Sequence, residues 1–486
     1  MTTHGLRAAG RECNQGDVMG LVIRSGTVVN AGERFTADVK VEGRTITAIG
    51  SNVTKGTGDT EIDAAGRYVL PGFIDPHVHM ELPFMGTVSA DDFESGTASG
   101  IAGGTTSIID FCIPAPGTSL LDGLATWKQR AAKATADYSF HMAITSWGER
   151  TADEMRAVVR DHGITSFKVF MAYKGAIMVD DHALYQVMKV AAETGAVVTV
   201  HAENGDVVWN LQQELLAKGL TGPEFHPVSR PSAAEGEATE RALTMARLHG
   251  ATAYIVHMTC RESVQALERA KLAGQRCYGE TCPQYLLLDD RVFEAPDFGG
   301  STFVMSPPIR PLNLGHHQAL WSGLSNGMLD SIGTDHCPFT HEQKKMGAAD
   351  FTKIPNGAAG IEDRLAVLYT HGVMGGHFSL ERLVELNSTS PARIFGLDKK
   401  GAVSVGMDAD LVIYNPDGKG VRSAKSHHSK ADRSIFEGHD VLGKVEKTIV
   451  GGRVAFDGGR LMAERGAGRF ISRKPTHFAH KPEVHS

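Results

Sequence analysis

The stretch Arg67-Tyr68-Val69-Leu70-Pro71-Gly72-Phe73-Ile74-Asp75-Pro76-His77-Val78-His79 decides how the chain is to be read. It is a short apolar run, a Pro-Gly interruption, a second apolar run and two histidines one residue apart. Side chains alternate faces along a strand, so His77 and His79 share one direction. At the C-terminal end of a parallel barrel strand, that direction is the catalytic mouth. Two imidazoles on rigid backbone are neutral nitrogen donors suited to a divalent cation. A lone His-x-His is more often a surface pair, so the remaining donors must come from elsewhere.

Outward from this stretch, the chain alternates apolar strand-like runs with helical segments to about Phe395. The candidate strands are residues 68–74, 105–111, 138–144, 164–170, 196–200, 251–256, 275–280 and 329–334. Segments between them, such as 180–193 and 261–273, carry helical spacing. The expected fold class is therefore α/β, a (β/α)8 TIM-like barrel over residues 68–395. Short strands with turn signals flank it, and Asp38-Val39-Lys40-Val41-Glu42 alternates polar and apolar like a half-buried antiparallel strand. The same flavour returns at 409–414, 445–450 and 453–456. Residues 21–67 and 396–457 are thus expected to form a small β-sandwich domain built from both chain ends. Residues 1–20 read as a disordered leader, and 458–486 as a C-terminal arm on the surface or in a subunit contact.

Composition narrows the class. Of 486 residues, 42% are hydrophobic and 22% charged, as in a globular protein. A net charge of -7 argues against nonspecific nucleic-acid binding. The six cysteines are scattered without a Cys-x-x-Cys pair, as expected of reduced thiols. No apolar run approaches the ~20 residues that cross a bilayer, and no signal-peptide core opens the chain. The expectation is a cytoplasmic protein with neither a nucleic-acid nor a membrane partner.

Residues at the strand ends carry the chemistry. His77 and His79 follow the first strand, Lys168 lies in the fourth, and His201, His257 and Asp335 follow the fifth, sixth and eighth. Singly each has a bland explanation; six such residues on one rim do not. Lys168 stands apart, since an ammonium cannot ligate a metal. Flanked by Phe167, Val169 and Phe170, it would lose pKa on burial. Its neutral amine can then add carbon dioxide and become a carbamate, an anion with two oxygens able to bridge two metals. The alternative is a lysine that reaches solvent or pairs with Asp335.

With these residues in view, the chain resembles the binuclear amidohydrolase superfamily, and within it the dihydropyrimidinase/hydantoinase family. The likeness is carried by Pro-Gly-Phe-Ile-Asp-Pro-His-Val-His from Pro71, Leu-Pro-Phe-Met-Gly-Thr-Val-Ser-Ala-Asp-Asp-Phe from Leu82 and Ala-Gly-Gly-Thr-Thr-Ser-Ile-Ile-Asp-Phe from Ala102. Further stretches are Phe-Met-Ala-Tyr-Lys-Gly from Phe170, Val-His-Ala-Glu-Asn-Gly from Val200, Met-Ser-Pro-Pro-Ile-Arg from Met305, Gly-Thr-Asp-His-Cys-Pro from Gly333 and Ile-Pro-Asn-Gly from Ile354. It spans about residues 21–470. Phe73 stands where the family often has a second glycine, and the leader has no counterpart.

The resemblance implies one metal held by His77, His79 and Asp335, a second by His201 and His257, and carbamylated Lys168 bridging both. Zinc is the expected cation from the nitrogen-and-oxygen donors, with manganese or iron also accommodated. It also implies a homotetramer, Tyr173 donating to the oxyanion, and backbone groups of Ser306 and Asn356 holding the imide edge of the substrate. Two metals sharing a water lower its pKa to about 7, so a bridging hydroxide would attack a ring amide. Asp335 would take the remaining proton and hand it to the leaving nitrogen.

The loop after His79 selects the substrate. Relatives acting on dihydroorotate place an arginine two residues beyond the second histidine; here Met80, Glu81, Leu82, Pro83, Phe84 and Met85 follow, with no cation. Glu81 is expected to repel a substrate carboxylate, and the asparagine-containing turn of allantoinase-like enzymes is absent. An uncharged cyclic ureide fits, either a 5,6-dihydropyrimidine or a 5-substituted hydantoin, opened to an N-carbamoyl amino acid. Phe84, Met85, Ile177 and Met178 are expected either to form the apolar loops that admit the ring substituent or to be ordinary packing. The alternatives are an allantoinase-like or other cyclic amidase, or a non-catalytic scaffold. A scaffold has no need to retain six ligand positions.

Overall fold

Gly72 is where the chain passes from one sheet to another. A Cβ there would sit 2.1 Å from Thr106 Oγ1, so only glycine fits. The structure, a computed structural model, describes residues 20–477, so the leader expected over 1–20 lies outside the described residues but for Gly20. Tyr68–Pro71 pairs with Leu21–Asn30 and Leu411–Val421 in the small domain, whereas Phe73–Val78 pairs with Thr105–Cys112 in the barrel. The single strand expected over 68–74 is therefore two strands of two domains. Both runs are apolar and buried, so hydrophobicity alone could not separate them.

The barrel strands are β1 (Phe73–Val78), β2 (Thr105–Cys112), β3 (Asp137–Ala143), β4 (Ser166–Phe170), β5 (Val197–His201), β6 (Thr252–Ile255), β7 (Cys277–Thr281) and β8 (Ser331–Ile332). They lie in sequence order, each parallel to the next. A parallel bridge between Val78 and His336 brings the last strand back to the first. Helices cover the outer face of such strands and packed side chains fill the barrel interior, which is why they read as unbroken apolar runs. The helix Asp181–Thr194 shows how the ends are set: Asp180 accepts from the Ala183 amide, and Gly195 closes the last turn at φ 69°.

The small domain is one nine-stranded sheet built from both ends of the chain. Ile23, Val39, Ile46, Val69, Leu411, Ile413 and Ile449 form its interior. The described part of the C-terminal arm runs along the surface of the barrel. Residues 469–471 hydrogen-bond along Tyr138, and the buried Arg473 guanidinium donates to Ser139 Oγ and Ser166 Oγ, both at 2.9 Å. It closes the end of the barrel opposite the histidines. Among the described residues, no helix is long and apolar enough to cross a membrane.

Candidate active site

The strand ends deliver the residues in order. His77 ends β1 with His79 just beyond, Lys168 lies within β4, His201 ends β5, and His257 and Asp335 lie just past β6 and β8. All face one cavity of about 590 Å³, open mouth included, which Tyr173, Ser306 and Asn356 also line. Tyr173, His257 and Asp335 hold left-handed backbone at φ 69°, 39° and 53°. Such conformations cost ~1–3 kcal/mol each and persist where the surroundings impose them.

The donors form two groups. His77 Nε2 and His79 Nε2 each lie 3.1 Å from Asp335 Oδ1, and His201 Nδ1 lies 2.9 Å from His257 Nε2. One ligand atom each from His77, His257 and Asp335 falls within a 4.8 Å cluster that joins the groups. Two imidazole nitrogens facing one carboxylate oxygen, and a second pair of imidazoles brought nitrogen to nitrogen, are donor sets that suit cations.

Neighbours fix the tautomers. His77 Nδ1 donates to Glu280 Oε1 at 2.6 Å, and His201 Nε2 donates to Glu203 Oε2 at 2.7 Å, which turns the opposite nitrogen toward the cavity. Tyr254 and the His257 amide hold Glu280 in turn, and Arg230 holds Glu203 at 2.5 Å. Burial disfavours an imidazolium at His77, but Glu280 and Asp335 outweigh it and raise its pKa to about 9. At His79 burial prevails over Asp335, giving about 4. Burial likewise opposes the Glu203 carboxylate, yet Arg230 and then His201 bring it down to about 2.

Lys168 is 1% exposed. Its Nζ lies 4.6 Å from the Phe111 ring centre and 5.0 Å from that of Phe170. Burial lowers its pKa to about 7 against the pull of Asp335 and Glu280. Among the described residues no carboxylate lies within ion-pair distance of it, so the pairing with Asp335 considered from sequence is not made. Tyr173 sits 5.2 Å from the His201 ring centre. Burial pushes its phenol well above the usual range despite Arg230, so it stays a proton donor at neutral pH. Ser306 Oγ donates to Asn356 Oδ1 at 2.8 Å, joining the segments expected to hold the imide edge.

Three readings of the substrate loops change. Glu81 faces away, paired with Lys133 at 2.7 Å, so it repels no bound carboxylate; what remains is that this loop supplies no cation. Met178 packs beneath Gly205, and Met85 turns its sulfur to Asn356 Nδ2 at 3.1 Å. Leu82, Pro83, Phe84, Ile113 and Ile177 form the apolar wall. Sequence reasoning also passed over Glu280, Glu203 and Arg230. Glu280 stands near the end of β7 and was open to the strand-end rule that found the others. Asp137, Asp408 and Asp410 cluster elsewhere, but Lys400 sits among them, 2.7 Å from Asp137.

Comparison with known proteins gives the family and the fold. The amidohydrolase family profile matches residues 68–455. D-hydantoinase of Geobacillus stearothermophilus is 43% identical over 455 residues, covering 93% of this chain and 96% of its own. Dihydropyrimidinase of Rattus norvegicus is 42% identical over 463 residues, covering 94% of this chain and 89% of its own. The crystal structure of dihydropyrimidinase from Brevibacillus agri superposes with a TM-score of 0.93 at 44% identity, over 95% of this chain and all of that one. The chain belongs to the amidohydrolase family, in its dihydropyrimidinase and hydantoinase branch.

Proposed function

We propose that the protein hydrolyses the ring amide of uncharged cyclic ureides, 5,6-dihydropyrimidines or 5-substituted hydantoins, to N-carbamoyl amino acids. The observation that carries the reading is the convergence of two histidine pairs, Asp335 and an unpaired buried lysine on one cavity. The names of the relatives support the substrate class. The family implies a binuclear divalent metal site, and the two sets of converging donors fit one. His77, His79 and Asp335 would hold one cation, and His201 and His257 the other.

Lys168 is read as a carbamate. Its neutral amine adds carbon dioxide, a nitrogen–carbon bond forms and a proton leaves, giving an anion that would bridge the cations. When bound, the two cations, zinc by the donor set, supply Lewis-acid polarisation of a carbonyl and lower the pKa of a water to about 7.

The rest falls to the chain. Asp335, with its Oδ1 between two imidazoles, accepts the proton that the attacking water gives up and returns it to the leaving ring nitrogen. Tyr173 donates its O–H to the oxygen that gains charge at the attacked carbon. The backbone of Ser306 and Asn356 holds the imide edge, and the wall around Phe84 and Ile177 takes the substituent. We carry three further expectations as proposals: a homotetramer, a cytoplasmic location, and a small cyclic ureide as partner rather than nucleic acid or membrane.

The test is ring opening of dihydrouracil, 5-phenylhydantoin, allantoin and dihydroorotate by the metal-loaded protein. Turnover of the first two well above the others is expected. Preference for dihydroorotate or allantoin, or no turnover of any ring, would overturn the reading.

A further inference from the structure

Lys344 is buried, 2% exposed, yet lies outside the catalytic cavity and pairs with no carboxylate among the described residues. Its Nζ donates to two backbone carbonyls, Val304 and Gly357, both at 2.8 Å. Val304 leads to Ser306, and Gly357 follows Asn356, so one ammonium ties together the two segments read as holding the imide edge. The Gly357 amide also donates to the Val304 carbonyl at 3.0 Å. Gly357 sits at φ 140°, and a Cβ there would meet the Cys337 carbonyl at 2.2 Å, so this junction has no slack.

The carbonyls around Ser306 are held in the same manner. Lys344 takes Val304, His226 Nε2 takes Met305 at 2.8 Å, and the Tyr285 hydroxyl takes Pro307 at 2.8 Å. Among the described residues, Ser306 has no backbone partner for its own amide or carbonyl, and nor does Asn356. The groups left over are those a planar imide edge, with one N–H and flanking carbonyls, can use.

The third wall is tied to the same helical turn, His341–Lys344. Gln343 Nε2 donates to Thr87 Oγ1 at 2.8 Å and to the Val88 carbonyl at 2.7 Å. Those residues form the return strand of the hairpin opposite Pro83–Phe84, the apolar side of the cavity. Thr340 and Gln343 close a reciprocal cap at the start of the turn, which fixes its orientation. Burial brings the Lys344 amine down to about 7; the neutral form still has the two N–H groups its two carbonyls need.

We infer that the turn His341–Lys344 is a clamp setting the spacing between the imide-edge segments and the apolar hairpin, with Lys344 a positioning residue for substrate binding rather than for metal or chemistry. The inference rests on the cyclic-ureide reading of the cavity and adds how its geometry is held. A displacement of ~1 Å in a positioning element can cost roughly 100-fold in catalytic efficiency.

The experiment uses full-length, metal-loaded protein and Lys344→Met, with Ile413→Ala in the small-domain interior as a control of lowered stability. In Lys344→Met the metal content should match the parent, and KM for the preferred ring should rise about tenfold or more with kcat changed less than about threefold. Hydrogen exchange should quicken in peptides covering 304–306 and 356–357 and stay unchanged in the small sheet. The control should leave KM alone. Unchanged KM together with unchanged local exchange, loss of metal, or the same KM rise in the control would overturn the clamp. If the parent opens no ring, the functional reading fails while exchange still decides the clamp. Should Lys344→Met not fold, Gln343→Ala removes the hairpin tie, together with its side-chain half of the cap on Thr340, and leaves the Lys344 bonds in place. It should shift the kcat/KM ratio between 5-phenylhydantoin and dihydrouracil about tenfold, and an unchanged ratio would count against the clamp.

Discussion

The barrel rim and the interior of the small sheet are built to opposite specifications. In the small sheet, Ile23, Val39, Ile46, Leu411, Ile413 and Ile449 pack against one another in one apolar cluster. At the rim, three residues hold left-handed backbone and the imidazoles of His201 and His257 meet nitrogen to nitrogen at 2.9 Å. A buried lysine there faces aromatic rings in place of a carboxylate. Local stability is given up at the rim and recovered elsewhere, the arrangement expected where strain and unpaired donors serve chemistry. The contrast also separates two kinds of damage: rim substitutions should cost turnover, and sheet substitutions should cost stability.

The sharpest break in this contrast should come from Asp335→Asn. The amide keeps the size of the side chain but cannot take a proton, so kcat should fall by roughly 10²–10⁴-fold with the melting temperature little changed. A rate within tenfold of the parent would assign the proton to another group. Tyr173→Phe is next. It removes one donor aimed at the developing charge and should lower kcat by about 10²–10³-fold, leaving metal content intact. Ile413→Ala reverses the pattern: about 2–5 kcal/mol of stability should be lost by denaturant unfolding, with kcat/KM per folded molecule unchanged. A catalytic defect in that variant would mean that the two regions are coupled.

Much of this was legible in sequence because it depends on period and position. The eight barrel strands show as apolar runs, and the donors show because all but Lys168, which lies within its strand, stand at or just past a strand end. Tyr68–Pro71 was placed in the wrong sheet because an apolar run does not say which neighbour it pairs with; Gly72, packed against Thr106 of the adjacent strand β2, marks where the two runs part. Glu203 and Arg230 were missed since their contact arises only when separate loops fold together. The charge of Glu81 was seen but its direction was not, and Lys133 takes it away from the cavity. Lys344 left no mark at all, because its partners are backbone carbonyls and no residue pattern encodes them.

The central claim is that six residues far apart in sequence hold two divalent cations about a modified Lys168. It is tested most directly by elemental analysis of the purified protein beside Lys168→Ala, with and without a short carboxylic acid to stand in for the carbamate. The account predicts about two metal equivalents per parent chain. It predicts loss of metal and of ring opening in the folded variant, with partial return of both when the acid is added. Full metal occupancy and undiminished activity in Lys168→Ala would contradict it.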